Sequence, residues 1–383
     1  MVREESDDGQ RASHGRHHGV PDRRSVVHGK TNVFGALTAV LADDAEFIRP
    51  GRLPMDTMNM LVDGEWRTDA YQSTNEDGEF DRQTTTFRDS IGDDRFPAES
   101  GRYHLYVSRA CPWAHGAALV RKLLGLEDVI SMDIVDPFRD TDGWTFTPEK
   151  EDCTPDTVNG FDHLREVYVA ADPDFTGRVT VPVLWDREEE TIVNNESIEV
   201  MRMLATGFTE YATRDVDLYP EGRREEIDRA IEDIYEPINN GVYRAGFADT
   251  QQAHEDAIED LFSALDHWDS VLANQRYMLG EDLTLADVRL FPTLVRFDPV
   301  YHTHFKCNVR RIRDYPNLWN HTKELYQLDG VAETVNLDHI KEHYYRTHPD
   351  VNPKRLVPVG PEIDYTEPHD RDRLAGGPPS VLA

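Results

Sequence analysis

The pattern of hydrophobic and polar positions predicts alternating strands and helices in the first half of the chain. Alternating and apolar runs predict strands over residues 103–108 and 129–135, separated by a helix that begins at Pro112 and ends at Gly125. Proline suits the first position of a helix, since the N–H group that it lacks would have no helical partner there. This segment is therefore predicted to form a βαβ unit.

Two more short apolar runs, residues 181–185 and 191–193, predict strands joined by a charged turn. Residues 194–197 then open a helix that continues through Leu204. The order βαβ followed by ββα is typical of a thioredoxin-like domain. We therefore expect an α/β, thioredoxin-like N-terminal domain.

From Arg224 onward the pattern changes to that of helices. Residues 257–272 are strongly amphipathic with a period of 3.6 residues. Thr284 and Asp287 precede an apolar run over residues 288–294, an arrangement that predicts a capping box at the start of a helix. The C-terminal domain is therefore predicted to be all-α.

These patterns predict four parts of the chain. Residues 1–57 are polar and irregular and are expected to be a disordered extension. Residues 58–207 form the thioredoxin-like domain and residues 208–358 the all-helical domain. Residues 359–383, where proline, glycine and charge increase, are expected to be a C-terminal tail.

The charge balance is strongly acidic. The chain has 73 Asp and Glu against 41 Lys and Arg, a formal net charge of -32, and only 7 of the basic residues are lysine. Such a charge repels phosphate backbones and anionic lipids, so neither nucleic acid nor a membrane is expected as a partner. An acidic, lysine-poor surface stays hydrated where salt screens charge, which indicates a halophilic archaeon with a high-salt cytoplasm.

The apolar runs and the cysteines exclude further classes of protein. No run approaches the ~18 apolar residues of a membrane-spanning helix, which favours a cytoplasmic protein. Cys111, Cys153 and Cys307 are too few and too scattered for a disulfide framework or a cysteine-rich zinc site. Any cysteine chemistry must therefore use a single thiol, and no metal is expected.

Cys111 is the candidate nucleophile. It stands at a strand-to-helix junction, where unpaired amides and the helix dipole stabilise a thiolate. The third residue after it is Ala114, so no second cysteine lies at the spacing of a C-x-x-C pair. The site would have to take its second thiol from a small molecule.

Two other places could bind a peptide-like thiol. The bond between Val181 and Pro182 is a candidate cis peptide, which would expose the Val181 backbone to pair with an extended ligand. Glu196 and Ser197 at a helix start could bind an ammonium and a carboxylate, although a helix cap alone would explain them too.

Segments in both halves resemble the glutathionyl-hydroquinone reductases, also called xi-class glutathione transferases. The resemblance extends from about residue 60 to about residue 371 and implies the glutathione transferase-like fold. It rests on R-Y-H-L-Y-V-S-R-A-C-P-W-A-H, D-G-W-T-F, G-R-V-T-V-P-V-L-W-D, I-V-N-N-E-S, N-N-G-V-Y-R-A-G-F-A, L-V-R-F-D-P-V-Y-H-T-H-F-K-C-N and V-N-L-D-H-I-K-E-H-Y-Y. The chain departs from the family at Gly116 and Ala117, which replace a bulkier, often basic pair.

The resemblance implies roles for individual residues. Cys111 would be the nucleophile and Tyr243 the proton-transferring group, while Tyr301 and Tyr344 would hydrogen-bond toward the thiolate and lower its pKa. Family enzymes are homodimers that use glutathione as co-substrate and no metal. The thiol-peptide site would consist of Trp144, Arg178, Val179, Thr180, Val181, Glu196 and Ser197.

The implied activity is removal of glutathione from thiol-conjugated hydroquinones through a mixed disulfide on the cysteine. In a halophilic archaeon γ-glutamylcysteine would replace glutathione. Two alternatives remain open, a glutathione transferase with conjugating or dehalogenating activity and a non-catalytic thioredoxin-like binding protein. A conjugating enzyme would keep its activity in a Cys111→Ser variant, whereas a binding protein would have a Cys111 thiol of ordinary pKa.

Overall fold

The computed structural model describes residues 58–71 and 73–383. The expected extension, residues 1–57, lies outside the described residues. Among the described helices, none is both long and apolar enough to cross a membrane.

A four-stranded mixed sheet forms the centre of the N-terminal half, with strand order β4-β3-β5-β6. Strand β3 runs parallel to β4 and antiparallel to β5. All five residues of β3 are buried, as expected for a central strand covered by helices. The strands are β3 (Tyr103–Val107), β4 (Ser131–Ile134), β5 (Val183–Asp186) and β6 (Thr191–Asn194).

Three helices accompany this sheet: α1 (Pro112–Leu123), α2 (Leu164–Ala171) and α3 (Ser197–Gly207). Helices α1 and α3 pack against each other. The thioredoxin-like order is therefore confirmed, and the structure adds helix α2 between β4 and β5. The sequence pattern did not predict α2, because a helix of two turns is too short to establish a clear 3.6-residue period.

A two-stranded antiparallel hairpin precedes the sheet, formed by β1 (Met58–Val62) and β2 (Glu65–Tyr71). Its turn places Asp63 and Gly64 at positive φ values of 48° and 74°. The pattern missed this hairpin because most residues of β2 are exposed and polar, so no apolar face is visible in the sequence.

The C-terminal half is all-helical, as predicted, and the capping box between Thr284 and Asp287 is present. Single π-helical turns directly follow α4 and α7, at Tyr235–Asn239 and Phe297–Tyr301. Such turns occur frequently at functional sites. The helices are α4 (Arg224–Ile234), α5 (Gly241–Gly246), α6 (Gln251–Leu272), α7 (Leu285–Arg296), α8 (Pro316–Gln327) and α9 (Leu337–Thr347).

The last residues of the chain pack against the helical half. Arg371 is fully buried and donates a hydrogen bond to the Leu272 carbonyl at 2.8 Å. The Tyr365 hydroxyl donates to the Val295 carbonyl at 2.9 Å, and Leu382 is fully buried. Buried side chains hold residues 359–383 in place, whereas the domain limits at residues 207 and 358 stay a prediction.

Candidate active site

A cavity of about 260 Å³ has Cys111 in its wall and takes residues from both halves of the chain. Three arginines line it against a single carboxylate, that of Glu196. This local excess of positive charge contrasts with the net charge of -32 and favours an anionic ligand. Its lining includes Arg82, Cys111, Trp113, Arg139, Trp144, Arg178, Thr180, Val181, Glu196, Ser197, Tyr235, Tyr243, Phe247, His343, Tyr344 and His348.

Cys111 occupies the N-cap position of α1, directly before Pro112. Its thiol donates to the Val181 carbonyl across a distance of 3.7 Å. The loop before Cys111 is held by Arg296 of α7, whose guanidinium donates to the carbonyls of Ala110 at 2.9 Å and Arg109 at 2.8 Å. The helical half thus fixes the backbone that presents the thiol.

Burial raises the pKa of the Cys111 thiol. The backbone amides of Ala114 and Trp113 and the charges of Arg296 and Arg82 act in the opposite direction. The helix start therefore supplies the stabilising amides that the sequence predicts, but the net shift is upward because desolvation is the larger effect.

The three tyrosines singled out by the resemblance are joined in one chain of hydroxyl groups. The Tyr344 hydroxyl hydrogen-bonds to that of Tyr243 and, at 3.0 Å, to that of Tyr301. Burial raises the pKa of each of these phenols, so all three are protonated at neutral pH. Tyr243 and Tyr344 line the cavity, while Tyr301 lies outside its lining.

The hydrogen bonds of Tyr301 and Tyr344 differ from those that the family resemblance implies. The Tyr344 hydroxyl bonds to those of Tyr243 and Tyr301, and no hydrogen bond from Tyr301 or Tyr344 to the Cys111 sulfur is present among the described residues. The charges and amides that lower the thiol pKa come from other residues. Burial, and after it the charge of the Cys111 thiolate, raises the pKa of Tyr243.

Glu196 and Ser197 stand together at the start of α3. The Thr85 hydroxyl donates to Glu196 Oε2 at 3.0 Å, and the Ser197 hydroxyl lies 3.4 Å from Glu196 Oε1. Arg289 of α7 donates to Ser197 Oγ at 3.0 Å. A carboxylate beside a hydroxyl and a buried guanidinium offers partners for both the ammonium and the carboxylate of an amino-acid head group.

The remaining predicted residues lie around Trp144 and the Val181–Pro182 bond, which is cis as expected. The Trp144 ring stacks on His343 with centroids 5.2 Å apart. Arg178, Thr180 and Val181 line the cavity, whereas Val179 is buried outside its lining. The Val181 amide donates to no group among the described residues, which leaves it available to an extended ligand.

Several residues of the cavity lining were not predicted from the sequence. Arg82 and Trp113 meet in the cavity, with the guanidinium carbon of Arg82 4.6 Å from the indole centroid. Trp113 could have been found, since it is part of the C-P-W-A motif, whereas no signal in the sequence marked Arg82. Tyr235, His343 and His348 also escaped notice because they lie far from Cys111 along the chain.

Burial determines the pKa of the other two cysteines, and close packing surrounds Gly116 and Ala117, the pair at which the chain departs from the family. Burial raises the pKa of Cys153 to about 12 and raises that of Cys307 further. A Cβ atom on Gly116 would lie 2.6 Å from the Met201 sulfur, and Ala117 is fully buried. The replacement at Gly116 and Ala117 therefore affects the packing of α1 on α3 rather than the mouth of the cavity.

Comparisons with known proteins show the family to which the chain belongs. Residues 110–206 match the N-terminal domain model of glutathione S-transferases and residues 251–324 match the C-terminal domain model. The chain is 50% identical over 304 residues to the glutathionyl-hydroquinone reductase PcpF of Sphingobium chlorophenolicum, covering 79% of this chain and 96% of PcpF. The chain belongs to the glutathionyl-hydroquinone reductases, or xi-class glutathione transferases.

Solved structures of the family support this assignment. The xi-class glutathione transferase from Natrialba magadii is 61% identical, with a TM-score of 0.79 over 84% of this chain and 98% of its own. The glutathione-bound structure of YqjG from Escherichia coli is 44% identical, with a TM-score of 0.75 over 82% of this chain and 99% of its own. The similarity to the Natrialba protein supports the halophilic origin expected from the acidic composition.

Among the described residues, no group of three or more His, Cys, Asp or Glu side chains is arranged to hold a metal ion.

Proposed function

We propose that this protein is a thiol-dependent reductase that removes glutathione or γ-glutamylcysteine from thiol-conjugated hydroquinones. One observation carries the proposal. Cys111, at a helix N-terminus, lines the same cationic cavity as Tyr243 and Tyr344, two protonated tyrosines whose hydroxyls bond to each other. The test is to incubate the protein with a thiol-conjugated hydroquinone and to identify the products. Release of free hydroquinone is expected.

The first half-reaction needs a nucleophile and an acid. Tyr243 donates a proton to the ring carbon that carries the sulfur, and its raised pKa keeps that proton available at neutral pH. The Cys111 thiolate attacks the sulfur of the conjugate, so the carbon–sulfur bond breaks and a mixed disulfide forms on Cys111. The hydroquinone leaves in its reduced form.

The second half-reaction regenerates the thiolate. A second thiol peptide attacks the mixed disulfide, releases the oxidised thiol dimer and restores Cys111. Ala114 and the distant Cys153 and Cys307 offer no resolving thiol in the cavity. The small-molecule thiol is therefore a required co-substrate.

The thiol peptide is placed with its γ-glutamyl head on Glu196 and Ser197 and its backbone along Val181. The thiol would then enter beside Cys111, whose own thiol already contacts the Val181 carbonyl. Trp144, Arg178 and Arg139 remain for the C-terminal carboxylate, because all three line the cavity and Arg139 lies over the indole, 5.7 Å from its centroid.

Glu196→Gln is expected to raise the KM for the thiol about tenfold or more. The variant keeps the shape of the side chain but removes the charge that faces the ammonium, and a charge-assisted hydrogen bond contributes about 1.5–3 kcal/mol. Steady-state kinetics with varied thiol measures the effect. Glu199→Gln is the matched control, since Glu199 lies on the same helix and pairs with Arg88 outside the cavity lining. An unchanged KM in Glu196→Gln would contradict this placement.

The identity of the thiol follows from the same kinetics. We propose γ-glutamylcysteine as the co-substrate, on the basis of the halophilic composition, and expect its kcat/KM to equal or exceed that of glutathione. A clear preference for glutathione would show that the glycyl residue contributes to binding and would exclude γ-glutamylcysteine as the natural thiol.

We further propose that the protein acts as a homodimer in the cytoplasm. The cytoplasm is the compartment that keeps small thiols reduced, as the second half-reaction requires. Light scattering coupled to size-exclusion chromatography in molar KCl measures the mass of the assembly, and a mass of one chain would contradict the dimer.

A further inference from the structure

Arg82 is a partly buried cation that lines the cavity and lacks a full set of hydrogen-bond partners. Its Nε donates to Asn240 Oδ1 at 3.0 Å, while its Nη2 is buried and has no hydrogen-bond partner among the described residues. A buried donor without an acceptor is unfavourable and uncommon in folded proteins. Because Arg82 lines the cavity and only its Nε has an acceptor among the described residues, we expect a ligand to accept a hydrogen bond from the rest of its guanidinium.

The surroundings of Arg82 are aromatic. The guanidinium carbon lies 4.6 Å from the ring centroid of Trp113, 5.0 Å from that of Tyr243 and 5.2 Å from that of Phe80. These rings hold the guanidinium plane against the side of the cavity that contains the proton donor Tyr243. The Arg82 guanidinium therefore lies beside Tyr243, next to the part of the cavity where a substrate ring must lie for Tyr243 to protonate it.

The thiol peptide has other partners for its charged groups. Its γ-glutamyl head is placed on Glu196, Ser197 and Arg289, and its C-terminal carboxylate beside Arg139 and Arg178. Arg289 also lies over Trp113, 4.7 Å from the ring centroid, but its Nη1 donates to Ser197 and the residue lies outside the cavity lining. An oxygen of the hydroquinone is thus the acceptor that remains for Arg82.

The reaction generates a negative charge at such an oxygen. Tyr243 gives a proton to the sulfur-bearing carbon. The hydroxyl on the neighbouring carbon releases its proton to solvent, from which Tyr243 is reprotonated, and becomes a ketone. When the Cys111 thiolate attacks the sulfur, the electron pair of the carbon–sulfur bond returns to the ring and converts that ketone into a phenolate. The ring carbon is reduced, the two sulfurs are oxidised to the mixed disulfide, and the phenolate then takes a proton from solvent.

We propose that Arg82 binds the hydroquinone oxygen next to the sulfur-bearing carbon and stabilises the phenolate that forms there, an inference that rests on the proposed function. A donor aimed at a developing oxyanion in a desolvated cavity acts most strongly in the transition state. Arg82 also acts to lower the pKa of both Cys111 and Tyr243, in keeping with its place beside the reacting atoms.

The test compares wild type with Arg82→Met on conjugates of hydroquinones that differ in phenol pKa, from unsubstituted to polychlorinated. For the unsubstituted conjugate we expect a loss in kcat of about 10²-fold, the effect of removing one oxyanion donor. Polychlorinated hydroquinones form stable phenolates without help, so their loss should be several-fold smaller. The dependence of log kcat on phenol pKa therefore becomes steeper in the variant.

Two further variants separate this role from a structural one. Arg82→Lys keeps a positive charge and should recover part of the lost rate with an intermediate slope. Arg95→Met removes another arginine that stacks on an aromatic ring, 4.7 Å from the Phe96 centroid, but lies outside the cavity lining, and it should match wild type. If Arg82→Met does not fold, as judged by circular dichroism, the slope is measured in Arg82→Lys.

Equal losses for every conjugate, with the slope of wild type, would overturn the role of Arg82 and leave the proposed function intact. Failure of wild type to release hydroquinone from any conjugate would instead overturn the proposed function, and the role of Arg82 with it.

Discussion

Replacing Cys111 by alanine should lower the rate of hydroquinone release by at least about 10³-fold, because no other group in the cavity can accept the thiol peptide as a disulfide. The measurement is turnover of a thiol-conjugated hydroquinone, with free hydroquinone quantified by chromatography. Cys111→Ser should be equally inactive in this assay, since a hydroxyl cannot form a mixed disulfide.

Cys153→Ala is the matched control for the loss of a thiol. Cys153 is partly exposed like Cys111, but it lies outside the cavity lining and donates to the Val135 carbonyl at 3.8 Å. It should keep the activity of wild type. Retained or increased conjugating activity in Cys111→Ser would favour the alternative of a conjugating glutathione transferase.

Replacing Tyr243 by phenylalanine should lower the rate of the first half-reaction by about 10²- to 10⁴-fold, the range typical of a lost general acid. The ring remains, so its contacts with Phe80, Trp113 and Phe305 are preserved. Single-turnover kinetics of hydroquinone release measures this step separately from reduction of the mixed disulfide by thiol. The second step should change much less, since no proton is transferred to carbon there.

Tyr345→Phe is the control for loss of a buried hydroxyl. Tyr345 is adjacent to Tyr344 in α9, but its hydroxyl donates to the Pro299 carbonyl at 3.1 Å, away from the cavity. This variant should release hydroquinone at the rate of wild type. If Tyr243→Phe and Tyr345→Phe lose activity equally, Tyr243 is not the acid.

Much of both halves was predictable from the sequence because the signals are local. Alternation marked β3, Pro112 marked the start of α1, and Thr284 with Asp287 marked the start of α7. Helix α2 and the β1–β2 hairpin were missed, since neither carries a long apolar period. The fold of each half follows from such short-range patterns, whereas their meeting at the cavity does not.

The site was predictable only where residues lie in recognisable motifs. Cys111 could be proposed from its position at a helix start, but Tyr243, Tyr301 and Tyr344 were singled out by the resemblance alone. The charges of Arg82 and Arg296 act to lower the pKa of Cys111. Both residues lie far from Cys111 along the chain, so nothing in the sequence around them indicates this effect. The direction of the Cys111 pKa shift depends on burial, and burial cannot be deduced from the spacing of residues in the sequence.

The raised pKa of Cys111 defines how the site should work. The thiol form contacts Val181, while two amides and two guanidinium groups oppose the effect of burial. Reaction therefore depends on these groups acting together on the small fraction of thiolate, and the rate of Cys111 alkylation should rise as pH increases.

The central claim is that Cys111 takes the thiol peptide from the hydroquinone as a mixed disulfide. Mass spectrometry of the intact protein, after one equivalent of thiol-conjugated hydroquinone and without free thiol, tests it most directly. The account predicts an added mass of one thiol peptide, located on Cys111 by proteolysis and removed by reductant, together with one equivalent of free hydroquinone. Release of hydroquinone without an adduct, or an adduct on Cys153, would contradict it.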